Sequence, residues 1–382
     1  LAPKRFALLL SIIVLALQTG CWDAKEIQNI NYVAALGLDF KDGKYLAYIQ
    51  IMDFSYIAKT DAGNPGEKAS VWVGKGTGRT INEAINEIYR SSQRQVFWGH
   101  VTSIVFSESI LKSGIQEVMD LTNRYREIRY TKWVYGTREP MEKILAATPF
   151  FKLSPLSSIL HAPLENYRQN SLIKPLQFYR FTSNFHGLGS TVHLPSLGLE
   201  NHTWKENDKD SQLLKIGGAF LIHSEKLKGW LPAASLEGAR WVQPDAIRNP
   251  LTITSNDKKL IATLVLDKPQ SQISFQKKSD QVQFQLHIQI NATVNELIQP
   301  ASESELVTRA AELIEEEVRA VYSEGLSIQS DILNLGEALY RKRPKLWRES
   351  WEHDQFPLNE QSLEKVMVEV HLINSGKYKL KK

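Results

Sequence analysis

Cys21 is the only cysteine in 382 residues, and its position suggests a use for its thiol. It follows the basic pair Lys4-Arg5, an apolar run from Phe6 to Leu17, and the small residues Thr19 and Gly20. That order of basic, apolar and small residues is a secretory signal. A cysteine at its junction reads as a lipidation site: the thiol takes a lipid, the chain is cut before it, and Cys21 becomes the anchored N-terminus. The apolar run has 12 residues, too few for a membrane-spanning helix, which needs roughly 20. The position three before the cysteine, usually Leu, is Gln18, with Leu17 one further back. One acyl chain gives only marginal membrane binding, whereas a diacylated cysteine carries at least two. The mature chain is therefore expected to work tethered to one membrane face.

Other residues invite chemistry and do not sustain it. Gly74-Lys75-Gly76-Thr77-Gly78-Arg79-Thr80 resembles a phosphate loop, but the Gly-Lys-Ser/Thr ending that such a loop needs is missing. Helix initiation fits better: Thr80 and Glu83 form a capping box, and the glycines let the chain turn into a helix with Ile81, Ala84, Ile85 and Ile88 on its apolar face. His100 has no nucleophile or acid beside it and is expected to pack. Glu312 and Glu315 to Glu317 lack His or Asp at ligand spacing, so they are expected on a solvated helix face. Nine scattered histidines show no metal spacing, and neither a Gly-x-Ser-x-Gly elbow nor a His-Glu-x-x-His helix occurs. No catalytic, metal or cofactor-binding residue is expected, and no enzyme. Removing Lys4 and Arg5 from the 46 basic residues leaves 44 against 42 acidic ones, too even a balance for a nucleic-acid partner. With one cysteine, no intrachain disulfide is possible.

The elements that would carry these residues point to an α+β, multi-domain chain. Residues 1–20 are the expected signal, 21–200 an N-terminal α/β domain, 201–255 a linker and small middle domain, and 256–382 a C-terminal domain of antiparallel strands plus long helices. Lys41-Asp42-Gly43-Lys44 predicts a hairpin turn between Val33–Leu38 and Tyr45–Met52. Lys226 to Trp230 reads as a turn and a short helix, and 261–266, 270–275 and 282–294 read as three strands. In the last, Val282, Phe284, Leu286, Ile288 and Ile290 alternate with polar residues, which predicts one buried and one wet face. Ser302 to Tyr322 is the clearest helix, striped by Leu306, Ala310, Leu313, Ile314, Val318 and Val321, and Gly325 is expected to end it. Trp72, Trp98, Trp133, Trp230, Trp347 and Trp351 are candidates for core or interface, with core favoured for each. Trp351 lies in the polar stretch 348–355 and is the best interface candidate, with Trp347 the second.

These residues resemble the Ger(x)C lipoproteins, the C subunits of nutrient germinant receptors in endospore-forming bacteria. The resemblance runs through Gly20-Cys21-Trp22-Asp23, Glu26-Ile27 and Gly37-Leu38-Asp39, then Gly78-Arg79-Thr80 with Glu83-Ala84, and Phe97-Trp98-Gly99-His100. It closes with Asp331-Ile332-Leu333-Asn334-Leu335-Gly336, Arg341-Lys342, Pro344, Trp347 and Trp351. It implies a three-domain mixed α/β fold and a non-enzymatic, lipid-anchored subunit on the outer face of the cell membrane and in the spore inner membrane. Its implied partners are integral-membrane A and B type receptor subunits, and its implied role is nutrient-triggered germination. Cys21 carries over as the lipidation site, and direct nutrient binding by this subunit stays open. The alternative is a lipoprotein solute-binding protein serving a membrane transporter, which should show repeated βαβ units in two lobes.

Overall fold

The computed structural model describes residues 30–52, 70–116, 118–120, 129–255, 257–278, 281–351 and 356–374. Cys21 and the signal at 1–20 lie outside the described residues. The first strands are β1 (Ile30–Lys41), β2 (Lys44–Met52) and β3 (Val71–Gly78), followed by helix α1 (Ile81–Tyr89). The turn between β1 and β2 holds Asp42 at φ 53° and Gly43 at φ 72°. Two successive positive φ values match the right-handed twist of a hairpin, which is why Asp-Gly signals one.

The chain continues through β4 (Gln95–Phe97), β5 (Ser103–Ser107), α2 (Glu108–Ser113), β6 (Trp133–Thr137), α3 (Met141–Ala146) and α4 (Pro163–Gln169). Then come β7 (Leu176–Gln177), α5 (Phe178–Phe185), β8 (Thr191–Glu200), the small pair β9 (Lys205–Glu206) and β10 (Lys209–Asp210), β11 (Leu213–His223) and β12 (Lys226–Pro232). All but β9 and β10 join one ten-stranded mixed sheet. Its main path is β12-β11-β8-β6-β5-β1-β2-β3, with β4 on β1 and β7 on β6. Helices cover both faces. Leu36, Ile104 and Phe220 pack with α1, α2 and α5 on one side, while Ala35, Val105 and Tyr135 pack with α3 on the other. Burial on both faces explains why Val33 to Leu38 is apolar without alternation.

The second unit contains β13 (Asn249–Thr254), β14 (Leu260–Lys278), β15 (Gln281–Leu297) and β16 (Leu363–Asn374), in that order across a four-stranded sheet. Helices α6 (Glu303–Ser327), α7 (Leu335–Lys342) and α8 (Pro344–Trp351) lie between β15 and β16 in the chain. The alternating residues of β15 form a continuous buried row from Val282 to Val294. The α6 stripe of Leu306, Ala310, Ile314, Val318 and Val321 shares that core. Ser302 caps α6 by accepting from the Glu305 amide at 3.2 Å.

Several expectations are corrected. The segment 201–255 is not a separate middle domain: β11 and β12 extend the large sheet, and β13 opens the small one. Lys226 to Trp230 is a strand, entered by a tight turn at Ser224 (φ 50°) and Glu225 (φ 61°) and paired along β11. The expected strands 261–266 and 270–275 are one long strand, β14, whose register shifts between Asp267 and Gln270. Strand β16 runs parallel to β15, so the C-terminal sheet is not wholly antiparallel. Gly325 lies inside α6, where a Cβ would meet the Ser330 carbonyl at 2.6 Å. Close backbone approach, not termination, accounts for that glycine.

Candidate functional site

The two units meet along a buried seam, built chiefly by the loop before α7 and by α8. Asn334 sits at φ 55°, a left-handed conformation that Asn tolerates better than most residues. Its Oδ1 accepts from the Thr191 amide at the start of β8, at 2.7 Å. Asp331 is buried and accepts from the Gly336 amide at 2.6 Å, which ties the loop to the first turn of α7. Burial raises the Asp331 carboxyl from 3.8 to about 7, even though nearby backbone N–H groups pull the other way. Across the seam, His193 and His223 are lowered to about 4, chiefly by burial. Thr191 Oγ1 and His223 Nδ1 are hydrogen-bonded at 3.0 Å. Neutral forms of all three titratable groups therefore suit the interior.

Tight backbone approach sets the rest of the seam. A Cβ on Gly189 would lie 2.6 Å from Trp347 Nε1 and 2.8 Å from the Gly336 carbonyl oxygen. A Cβ on Gly336 would lie 2.7 Å from the Trp351 ring. Trp347 and Trp351 are thus turned inward, at 6% and 7% exposure, and belong to the C-terminal core. Trp351 meets Phe284 edge-on at 6.0 Å, and Trp347 meets Tyr340 at 5.3 Å. Their expected role as partner-facing rings has little surface to act through. The polar flank of α8 suggested exposure, but the small Gly189 and Gly336 make room for both indoles.

A 3₁₀ segment, Ala233–Val242, clamps the other side. A Cβ on Gly238 would lie 2.0 Å from the Glu317 carbonyl oxygen of α6, so only glycine permits this crossing. Arg240 pairs with Glu317 at 3.2 Å, and Trp241 Nε1 donates to the same carboxylate at 2.7 Å. Burial raises the Glu317 carboxyl, while Arg240 acts against that shift. Glu317 is therefore a structural tie, not part of a solvated face. Glu312, Glu315 and Glu316 do face outward, paired or near-paired with Arg309 and Arg319.

The remaining candidates resolve into structural roles. Thr80 Oγ1 accepts from the Glu83 amide at 3.1 Å, and the Glu83 carboxylate reaches the Arg79 amide at 2.8 Å. The Thr77 amide donates to the Glu87 carboxylate, so an acidic side chain takes up an amide of the glycine-rich stretch. Those glycines lie within β3, and Gly76 and Gly78 leave room for α1 to pack across them: a Cβ would come within 2.0 Å of the Ala84 oxygen and 2.5 Å of the Ala84 nitrogen. His100 is exposed and meets Tyr32 edge-on at 4.8 Å. A different histidine, His161, is buried in a network with Thr102 and with Gln50, whose Oε1 lies 2.9 Å from Nε2. Nothing around His161 in the sequence singles it out, because its partners are 59 and 111 residues away.

Between the units, a cleft of about 440 Å³ is lined by Thr191, His193, Gln243, Asn334 and Glu337, among others. Among the described residues, no group of three or more His, Cys, Asp or Glu could hold a metal ion. No described helix is long and apolar enough to cross a membrane.

This is a two-unit α+β protein in which a glycine-lined seam joins a ten-stranded sheet to a smaller helix-backed one. The chain belongs to the spore germination protein family of germinant-receptor C subunits. A model described as the spore germination protein N-terminal domain matches residues 23–199, and one described as the spore germination B3/GerAC-like C-terminal region matches 216–376. Spore germination protein KC of Bacillus subtilis (strain 168) is 23% identical over 395 residues, covering 92% of this chain and 90% of that protein. YfkR of the same organism is 26% identical over 223 residues, 57% of this chain and 56% of that protein. The crystal structure of the GerBC protein has the same fold, with a TM-score of 0.55 at 16% identity, over 89% of this chain and 97% of that one.

Proposed function

We propose that this chain is a lipid-anchored, non-catalytic subunit of a nutrient germinant receptor and is required for nutrient-triggered spore germination. The observation that carries this reading is the pair of family matches, which together take in both structural units, from residue 23 to 199 and from 216 to 376. The proposed anchor is a lipid on Cys21, holding the folded part against the outer face of the cell membrane and the spore inner membrane. Its proposed partners are the integral-membrane A and B type subunits. The seam supports a role in which the two units move or hold as one body, because Asn334, Trp347 and Gly238 tie them at separate points.

The test is deletion of the gene, complemented with the wild type or with Cys21→Ala. Nutrient-triggered germination and membrane retention of the protein are then measured. Loss of the nutrient response on deletion, rescue by the wild type, and release of an impaired Cys21→Ala protein are the expected outcomes. A Cys21→Ala protein that stays firmly in the membrane sinks the lipid anchor. A deletion strain with normal responses to all nutrients sinks the required role.

A further inference from the structure

Phe150, Phe151, Leu153 and Trp204 are all exposed, and two turns far apart in the chain gather them into one patch. The first is a single 3₁₀ turn at Phe150–Lys152, closed by the Leu153 amide donating to the Phe150 carbonyl at 2.9 Å. The second is the β9–β10 hairpin, which the chain enters at Trp204. The Ser211 amide donates to the Trp204 carbonyl at 2.9 Å and so holds that residue at the hairpin's base. Phe150 meets Trp204 edge-on at 4.9 Å. Phe151 holds φ at 54°, a costly backbone for a bulky residue, and presents its ring to solvent. Core packing has no use for four apolar side chains displayed together, and such a cluster marks a contact surface.

The position of the patch says what it meets. It borders the α3 face of the large sheet, since Ala147, three residues before Phe150, still packs in the core beneath α3. The Leu145 carbonyl accepts from Gln50 Nε2 at 2.6 Å, and Gln50 pairs with Ala35 of β1. Leu145 therefore stands near the level of Ala35, five residues along β1 from Ile30, a distance of about 17 Å. Nine residue steps separate Ile30 from Cys21, and they span at most about 30 Å. A chain anchored at Cys21 can thus bring this patch down onto the surface that holds the anchor.

We propose that Phe150, Phe151, Leu153 and Trp204 insert into the lipid surface and lay the α3 face of the first unit against it. The proposal rests on the lipid-anchor reading of Cys21. A tether at Cys21 alone leaves the orientation of the fold open, and a second, apolar contact fixes it. Rings that project from turns fit a deformable apolar phase, and tryptophan favours the boundary between acyl chains and head groups. The hairpin charges nearly cancel, with Lys205 and Lys209 against Glu206, Asp208 and Asp210. The contact is therefore apolar and does not need an anionic lipid.

The full-length lipoprotein is reconstituted into phosphatidylcholine vesicles whose acyl chains carry bromine, a contact quencher of tryptophan fluorescence. Unbrominated vesicles serve as the reference. Trp204→Phe should remove the part of the quenching due to that ring, leaving what Trp22, beside the anchor, contributes in both proteins. Trp72→Phe should change nothing. Trp72 is more exposed than Trp204, but it alternates on β3 with Gly74 and Gly76, which face Ile88 and Ala84 of α1, on the opposite side of the sheet. No loss from Trp204→Phe, or an equal loss from both variants, overturns the proposal. Flotation of the same vesicles separates it from the anchor reading. A chain that floats without Trp204 quenching overturns this inference alone, and a chain that does not float overturns both. In intact membranes, a benzophenone amino acid replacing Phe151 should cross-link to lipid. Cross-links to protein and none to lipid would make the patch a protein interface and overturn the proposal as well.

Discussion

The aromatic residues of α8 and those around Phe151 are alike in kind and opposite in fate. Trp347 and Trp351 disappear into the seam, whereas Phe151 is 89% exposed and Trp204 51% exposed. Phe150 joins the outer group, with its ring 4.9 Å from Trp204 and 5.8 Å from Phe151. What separates the two groups is the backbone opposite them. Gly189 and Gly336 are small enough to admit the α8 indoles, while the outer rings find chiefly one another. An aromatic residue in a polar stretch is therefore no guide to an interface until its opposing backbone is known. The same contrast holds for Trp72, expected in the core yet 71% exposed on the edge strand β3.

Substitutions at the two places should separate them sharply. Trp351→Ala should cost about 3–5 kcal/mol of stability, the range for a large buried aromatic, measured by denaturant unfolding. A loss below about 1 kcal/mol would mean that the indole is not packed as described. Glu317→Ala should follow at about 3 kcal/mol, because it strands Arg240, only 5% exposed, without its partner. An unchanged unfolding midpoint would show that the clamp is not formed.

Asp331→Asn should act through pH. The folded-state carboxyl lies near 7 and the ordinary value is 3.8. Between these values the folded state holds a proton that the unfolded state has released, so stability falls as pH rises through that window. The variant should flatten this slope relative to wild type and be the more stable protein above pH 7, as read from melting temperatures across the range. His193 and His223 work in the opposite sense: their folded values near 4 mean that stability is lost as pH falls below 6.5. They are common to both proteins and drop out of the difference. Parallel pH curves would refute the buried, protonated Asp331.

The smallest effect is expected outside the seam. Phe151 sits at φ 54°, a conformation that glycine adopts without penalty. Phe151→Gly should leave stability unchanged or raise it by up to about 1 kcal/mol. A loss larger than that would place the ring in a core after all.

Local signals were legible where they needed no distant partner. The Asp42-Gly43 turn, the Thr80 cap, the alternation of β15 and the stripe of α6 all depend on residues a few positions apart. The errors came where a distant partner decided the outcome. Lys226 to Trp230 has helix-tolerant residues and became a strand because β11 offered an edge to pair with. Glu317 looked like its acidic neighbours until Arg240 and Trp241 closed over it from 77 and 76 residues away.

The class of the chain was legible only through resemblance to a known family; by itself, then, the sequence determined its α+β character and most of its regular elements. These follow from composition, from spacing and from hydrogen bonds within a turn or two. Tertiary structure alone decided that 213–232 completes the first sheet, that Trp347 and Trp351 are interior, and that Asp331, Asn334 and His193 share a seam. Burial and desolvation belong to the assembled surroundings of a residue, and residues 331 and 193 become neighbours only when the two units close on each other.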